Sequence, residues 1–136
     1  MFLPNTKILV VDDMFTMRKL VVKICTELGF SDFTEAADGA KAWEVFSSAN
    51  PPFGLVISDW NMPNCSGLDF LKRVRADSRF SQTPFLMVTA EVEQHQIMEA
   101  VKAHVSGYVI KPFTVDILRE RLGGVHQKHF GQSKTA

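Results

Sequence analysis

Apolar positions along this chain follow two rhythms. Lys7-Ile8-Leu9-Val10-Val11, Leu55-Val56-Ile57-Ser58 and Phe85-Leu86-Met87-Val88-Thr89 are short, nearly unbroken apolar runs. Runs of this length and β-branched content predict strands buried on both faces. Tyr108-Val109-Ile110 is a shorter run of the same kind, and Phe33-Thr34-Glu35-Ala36 a weaker one. Between the runs the spacing becomes helical. Met17, Leu20, Val21, Ile24 and Leu28 mark a first helix that Gly29 stops. Ala42, Trp43 and Phe46 mark a second, opened at Asp38-Gly39 and ended by Asn50-Pro51-Pro52. Leu68, Leu71 and Val74 form the stripe of a third, after a Ser66-Gly67-Leu68-Asp69 cap. Ile97, Ala100 and Val101 predict the apolar side of a fourth. Val115, Leu118 and Leu122 follow the capping residue Thr114 in a fifth, with Gly123-Gly124 as its expected end.

Five strand-helix units predict an α/β fold, a parallel sheet with helices on both faces. Right-handed crossovers leave few topologies, and the flavodoxin-like order 2-1-3-4-5 is the expected one. The chain divides into one domain over residues 1–123 and a short polar tail over 124–136.

Charge and composition narrow the class of function. Among 136 residues, 15 basic side chains face 15 acidic ones. That balance argues against nucleic acid or a membrane surface as partner, since both require a basic excess. An apolar share of 46% supplies a core without disulfide or metal staples. Cys25 and Cys65 make no disulfide framework and read as reduced thiols of a cytoplasmic protein. The start, Met1-Phe2-Leu3-Pro4-Asn5, has no signal-peptide pattern. His126 and His129 are three apart, but two ligands alone make a poor metal site. Nothing in the sequence demands a dimer, so a monomer is expected.

The candidate chemistry collects where an open parallel sheet binds ligands, at the carboxyl ends of its strands. The first strand ends in Asp12-Asp13, the third in Asp59-Trp60-Asn61, the fourth in Thr89-Ala90-Glu91 and the fifth in Lys111-Pro112. Taken singly, each has an ordinary reading as a cap, turn or strand residue. Their shared position on one sheet edge outweighs those readings. Three carboxylates brought together repel, and a cation relieves the repulsion. Oxygen-only ligands suit Mg²⁺. The expected ligands are Asp13 and Asp59, Asp12 directly or through water, and the backbone carbonyl of Asn61. Lys111 is expected on the other side of Asp59, preparing that carboxylate to receive a phosphoryl group as an aspartyl phosphate.

At this point the residues resemble a family, the receiver domains of bacterial two-component response regulators, and within it the CheY-like chemotaxis regulators. The likeness spans about residues 6 to 122. It rests on Ile8-Leu9-Val10-Val11-Asp12-Asp13, Thr16-Met17-Arg18, Ile57-Ser58-Asp59-Trp60-Asn61-Met62-Pro63-Asn64, Met87-Val88-Thr89-Ala90-Glu91 and Ser106-Gly107-Tyr108-Val109-Ile110-Lys111-Pro112-Phe113-Thr114. The resemblance implies that Asp59 is the phosphoacceptor and that Asp12 and Asp13 hold Mg²⁺. It makes Thr89 the switch hydroxyl, Lys111 the phosphoryl contact and Tyr108 the switch aromatic. It implies a cis Lys111-Pro112 bond. Asn61 and Glu91 match positions that set phosphoryl lifetime. The output face would be the fourth helix, fifth strand and fifth helix, including Ile97, Val101, Tyr108, Ile110 and Arg121.

The implied protein is a stand-alone receiver that catalyses only its own phosphorylation and dephosphorylation. A CheA-like histidine kinase would supply the phosphoryl group, a FliM-like flagellar motor switch protein would take the output, and a CheZ-like phosphatase would reset it. A phosphate sink or shuttle is one alternative. A haloacid dehalogenase-like phosphohydrolase is another, disfavoured because such enzymes want an acid at the position of Asn61. Departures from the chemotaxis pattern include Met14, Cys65-Ser66, Gln94, the Asn50-Pro51-Pro52 loop and the early stop at Gly123-Gly124.

Overall fold

Five strands and five helices alternate along residues 1–131, the part that the computed structural model describes. They are β1 (Lys7–Val11), α1 (Phe15–Glu27), β2 (Asp32–Ala36), α2 (Gly39–Ser48), β3 (Leu55–Ser58), α3 (Gly67–Ala76), β4 (Phe85–Thr89), α4 (Gln94–Lys102), β5 (Gly107–Ile110) and α5 (Val115–Phe130). The strands form one sheet in the expected order, β2-β1-β3-β4-β5, and every pairing is parallel. Register decides where the polar residues meet. Val11 pairs with Ser58, so Asp12 and Asp59, each one residue further on, leave neighbouring strands level with each other. Thr89 pairs with Ile110, which puts Lys111 just past the end of β4.

Strand alternation splits the core into two layers. Leu9, Val11, Val56, Phe85 and Met87 pack with Ala42, Phe46, Phe70, Leu71, Val74 and Ala100 on one face. Ile8, Val10, Leu55, Ile57, Leu86, Val88 and Val109 pack with Val21, Ile24, Cys25, Leu118, Leu122 and Val125 on the other. In the first layer Phe46 anchors an aromatic group, edge-on to Phe70 with centroids 5.8 Å apart and to Phe80 at 4.7 Å, and stacked on Phe53 at 6.1 Å. Such pairs add about 0.5–1.5 kcal/mol beyond the area they bury. Burial pushes the Cys25 thiol up to about 12, so it behaves as a small apolar core residue.

The predicted caps are present. Asp38, Ser66 and Thr114 accept from the backbone N–H groups of Lys41, Asp69 and Ile117. Gly29 closes α1 with φ of 105°, a conformation that glycine adopts without a Cβ penalty. Both Lys111-Pro112 and Asn50-Pro51 are cis, the second unanticipated.

Several expectations are corrected. Gly123-Gly124 does not end α5, which continues to Phe130. Each helical glycine costs about 1 kcal/mol against alanine, but burial of Leu122 and Val125 on both sides of the pair offsets this. The added turns also carry His126 and Phe130 against Phe2, with centroids 5.1 and 6.1 Å from its ring. The polar tail expected from residue 124 is therefore helical through 130, and residues 132–136 lie outside the described part. β2 begins one residue earlier than predicted, at Asp32. Leu20 falls on the predicted apolar stripe of α1, yet it is exposed; Val101, inward by the stripe of α4 but outward in the output-face reading, is exposed as that reading expects. α1 turns Val21, Ile24 and Cys25 inward. α4 buries only Ala100 fully, and Val101 is a helical step of about 100° away.

Candidate functional site

Asp12 is almost wholly buried at the end of β1. Its Oδ1 accepts from the Met14 N–H at 2.9 Å and its Oδ2 from Lys111 Nζ at 2.9 Å. The Asp12 carbonyl accepts from Arg18 Nη1 at 2.7 Å, and Arg18 Nε reaches Glu35 Oε1 at 3.1 Å. Lys19 beside it, helped by Arg18, holds the Glu35 carboxyl below the ordinary carboxylate range. Glu35 thus steadies the start of α1 from the neighbouring strand, although the sequence assigned β2 no share in the site.

Asp59 is fixed through its own backbone. Its N–H donates to the Val11 carbonyl at 2.9 Å. Its Oδ1 accepts from the Trp60 N–H at 2.7 Å, leaving Oδ2 toward Lys111 Nζ at 3.4 Å. Gly67 opens α3 directly against this turn, donating its N–H to the Trp60 carbonyl at 2.8 Å. Asp38 fastens the rest of the loop by accepting from Asn64 Nδ2 at 3.0 Å while it caps α2. The Lys41 N–H leads the bonds that hold the Asp38 carboxyl below its ordinary value. Asn64 itself has φ of 68°, a left-handed turn residue. The sequence marks Asp38 as a helix opener, Gly67 as part of a helix cap and Arg18 as part of a stretch that carries the resemblance, but gives none of them a role in supporting the site.

The predicted acids do converge. Carboxylate oxygens of Asp12, Asp13 and Asp59 all lie within 4.8 Å of one another. The three differ in access, with Asp12 buried, Asp13 exposed and Asp59 between them. An all-oxygen donor set of this size fits a hard divalent cation such as Mg²⁺. Lys111 is closer to the cluster's interior than expected. It bridges Asp12 and Asp59 rather than standing beside Asp59 alone.

The remaining predicted residues form a second shelf beside the acids. Thr89 is buried, and its Oγ1 accepts from the Glu91 N–H at 3.3 Å. Glu91 Oε1 accepts from Asn61 Nδ2 at 2.7 Å, and the Glu91 carbonyl accepts from the Tyr108 hydroxyl at 2.9 Å. Burial, reinforced by the charges of Glu91 and Asp59, pushes the Tyr108 phenol up to about 12. The Lys111 N–H donates to the Thr89 carbonyl at 2.9 Å, tying the two strand ends together. Ile110 and Val101 are exposed, Ile97 is half-buried, and Arg121 donates from Nε to the Tyr108 carbonyl at 3.3 Å. Val92, Met98 and Ile117 add exposed apolar side chains on α5 and around α4. His126 and His129 do not share a site. His126 meets the N-terminal amine and Phe2, whereas His129 meets Ser106.

Known proteins resemble this chain in sequence and fold. Residues 8–123 match the sequence family described as the response regulator receiver domain. The chain is 45% identical over 122 residues to the chemotaxis protein CheY of Pseudomonas aeruginosa, covering 90% of this chain and 97% of that protein. It is 44% identical over 124 residues to the chemotaxis protein CheY-3 of Vibrio cholerae, covering 91% and 94%. Among solved structures, the chemotaxis response regulator CheY4 of Vibrio cholerae superposes with a TM-score of 0.80 at 34% identity, covering 89% of this chain and 98% of that one.

Proposed function

The chain belongs to the response regulator receiver domain family, and on that premise we propose that it is a phosphorylation-operated switch of chemotaxis. In this reading Asp59 accepts a phosphoryl group from a CheA-like histidine kinase. The surface of α4, β5 and α5 then changes to bind a FliM-like flagellar motor switch protein. The protein is a signalling switch rather than an enzyme acting on an external substrate. The observation that carries the reading is the meeting of Asp12, Asp13 and Asp59 within 4.8 Å, with Lys111 bridging two of them.

Asp12, Asp13 and Asp59 would hold Mg²⁺, with the Asn61 carbonyl as a further ligand. Bound there, the ion supplies positive charge to offset the phosphoryl oxygens. The chain's own residues do the rest. The Asp59 oxygen facing Lys111 attacks phosphorus, the new O–P bond forms, and the P–N bond to the kinase imidazole breaks, its electron pair leaving on nitrogen. Lys111 offers a compact positive charge to the transferred group, whose transfer depends chiefly on positioning and charge.

The phosphoryl group adds roughly −1.5 to −2 charge and three strong acceptors. Thr89 and Lys111 are the donors at hand. Charge-assisted hydrogen bonds contribute about 1.5–3 kcal/mol each. Two or three reach the ~5.5 kcal/mol that inverts a 1:99 equilibrium. Exposed Val92, Met98, Val101, Ile110 and Ile117 favour a partner-binding output over a mere phosphoryl store. The Asn61–Glu91 hydrogen bond joins side chains just past the ends of β3 and β4 and suits a role in phosphoryl lifetime, the step a CheZ-like phosphatase would accelerate.

Incubation with Mg²⁺ and acetyl phosphate, followed by intact-mass analysis, tests the reading. One phosphoryl group is expected on the native chain and none on Asp59→Asn. An unmodified native chain, or an equally modified variant, refutes it.

A further inference from the structure

A second polar site lies at the opposite edge of the sheet from Asp59, where β5 begins. A cleft of about 660 Å³ opens between the end of α3 at Arg75, the loop at Gln82, the end of α4 at His104, Ser106, and the end of α5 at Lys128 and His129. Among the described residues, no carboxylate lines it. Among the described residues, neither Arg75 nor Lys128 has a carboxylate oxygen within 4.0 Å.

The Arg75 guanidinium is held in place without being neutralised. Nε donates to the His104 carbonyl at 2.9 Å, and Nη1 to the carbonyls of Thr83 at 2.6 Å and Ser81 at 3.3 Å. Nη2 donates to Ser106 Oγ at 3.2 Å. These partners are dipoles, which orient a cation but carry no full negative charge. A guanidinium has five N–H groups, so one hydrogen on Nη2 stays unassigned. Ser106 Oγ also accepts from the Phe85 N–H at 3.0 Å. With both lone pairs used, its own hydrogen goes to His129 Nε2 at 2.5 Å. His129 is therefore a neutral imidazole with its proton on Nδ1. Lys128 makes only a long contact of 3.5 Å with the Val105 carbonyl.

We propose that this cleft binds a phosphate dianion, free or as a monoester, between Arg75, His104, Lys128 and His129. Cations without a counter-charge favour an anionic ligand, and the remaining Nη2 hydrogen of Arg75 and the exposed Lys128 ammonium are the donors left to meet it. Lys128 and His129 lie on the last turns of α5, beyond residue 123, where the family match ends. Burial and the nearby Arg75 and Lys128 charges lower the His129 pKa. A dianion offsets those charges, so binding draws a proton onto Nε2; the Ser106 hydroxyl then turns its hydrogen away and gives up one of the two bonds it accepts.

The test is an NMR titration of the full chain in EDTA at constant ionic strength, with inorganic phosphate in one arm and glycerol phosphate in the other. Saturable shifts are expected at Arg75 Nε–H, Gln82, Ser106 and His129, together with a His129 pKa higher by about one pH unit. Lys128→Glu, an exposed change, is expected to weaken binding about tenfold or more. Response in one arm only assigns the source of the phosphate. Shifts in neither arm, shifts equal to those from sodium chloride, or binding untouched by Lys128→Glu would overturn the proposal.

Discussion

Gly67 stands so close to Asp59 that a Cβ added to it would lie 2.0 Å from the Asp59 carbonyl oxygen. The obstructing atom is backbone, and the Ser58 hydroxyl donates to that same oxygen at 2.9 Å. The start of α3 and the acceptor turn therefore share one space. Gly67→Ala is expected to destabilise the fold by about 1–3 kcal/mol and to slow phosphorylation of Asp59 by acetyl phosphate. Urea melts and a time course of phosphoryl incorporation check both effects. An unchanged incorporation rate would show that the turn relaxes freely.

Lys111 neutralises acids that otherwise repel each other. Lys111→Met leaves buried Asp12 and half-buried Asp59 without their shared ammonium. Breaking such a pair costs on the order of 3 kcal/mol. The melting temperature in EDTA is expected to fall, and Mg²⁺ to restore more of it in the variant than it adds to the native protein. A fall that Mg²⁺ cannot recover would locate the damage elsewhere.

Asp13 offers the opposite sign. It is the exposed member of the cluster, so Asp13→Asn removes repulsion and, on the proposed reading, one Mg²⁺ ligand. Stability in EDTA is expected to rise slightly, by a few tenths to about 1 kcal/mol. The Mg²⁺ concentration needed to change Trp60 fluorescence is expected to rise by about tenfold or more. Trp60 N–H is bonded to Asp59, which makes it the reporter, and Trp43→Phe removes the background indole.

Tyr108 is the single tyrosine of the chain, so phenolate absorbance reports on it alone. Its ionisation is expected at about 12 in the folded protein and near 10 once unfolded. A native midpoint near 10 would mean that the hydroxyl has left the Glu91 carbonyl.

His129 sets an acid-side slope. Its pKa is lowered in the fold, chiefly by burial and then by Arg75 and Lys128. Between that lowered value and the ordinary 6.5, the unfolded chain binds more protons than the folded one, so stability falls as pH falls through this window. Above 6.5 the contribution is complete. His129→Gln is expected to flatten the dependence, measured as the difference between native and variant urea midpoints at pH 7.5 and 5.5.

Much of this architecture was legible in the sequence because buried parallel strands advertise themselves. β1, β3 and β4 are continuous apolar runs, and their polar ends had to coincide once the order was fixed. Details decided by tertiary contact were not legible. Glycines 123 and 124 carry a stop signal, yet Leu122 and Val125 are held by the sheet and the helix runs on. Leu20 and Val101 fit a helical stripe, but a stripe cannot say how wide its partner surface is. The sequence puts Lys111 beside Asp59 alone, since it cannot show that Asp12 also reaches the ammonium. Arg18 and Glu35 meet through space across two elements, and no local pattern announces them.

Glu91 touches three things at once: its amide meets Thr89, its carboxylate Asn61, its carbonyl the Tyr108 hydroxyl. A hydroxyl drawn away toward a new ligand would release the amide, and with it the loop that carries the other two bonds. Signal transfer across this protein would then need no relay of successive steps, because Thr89 and Tyr108 are held by one residue, the first through the Glu91 N–H and the second through its carbonyl.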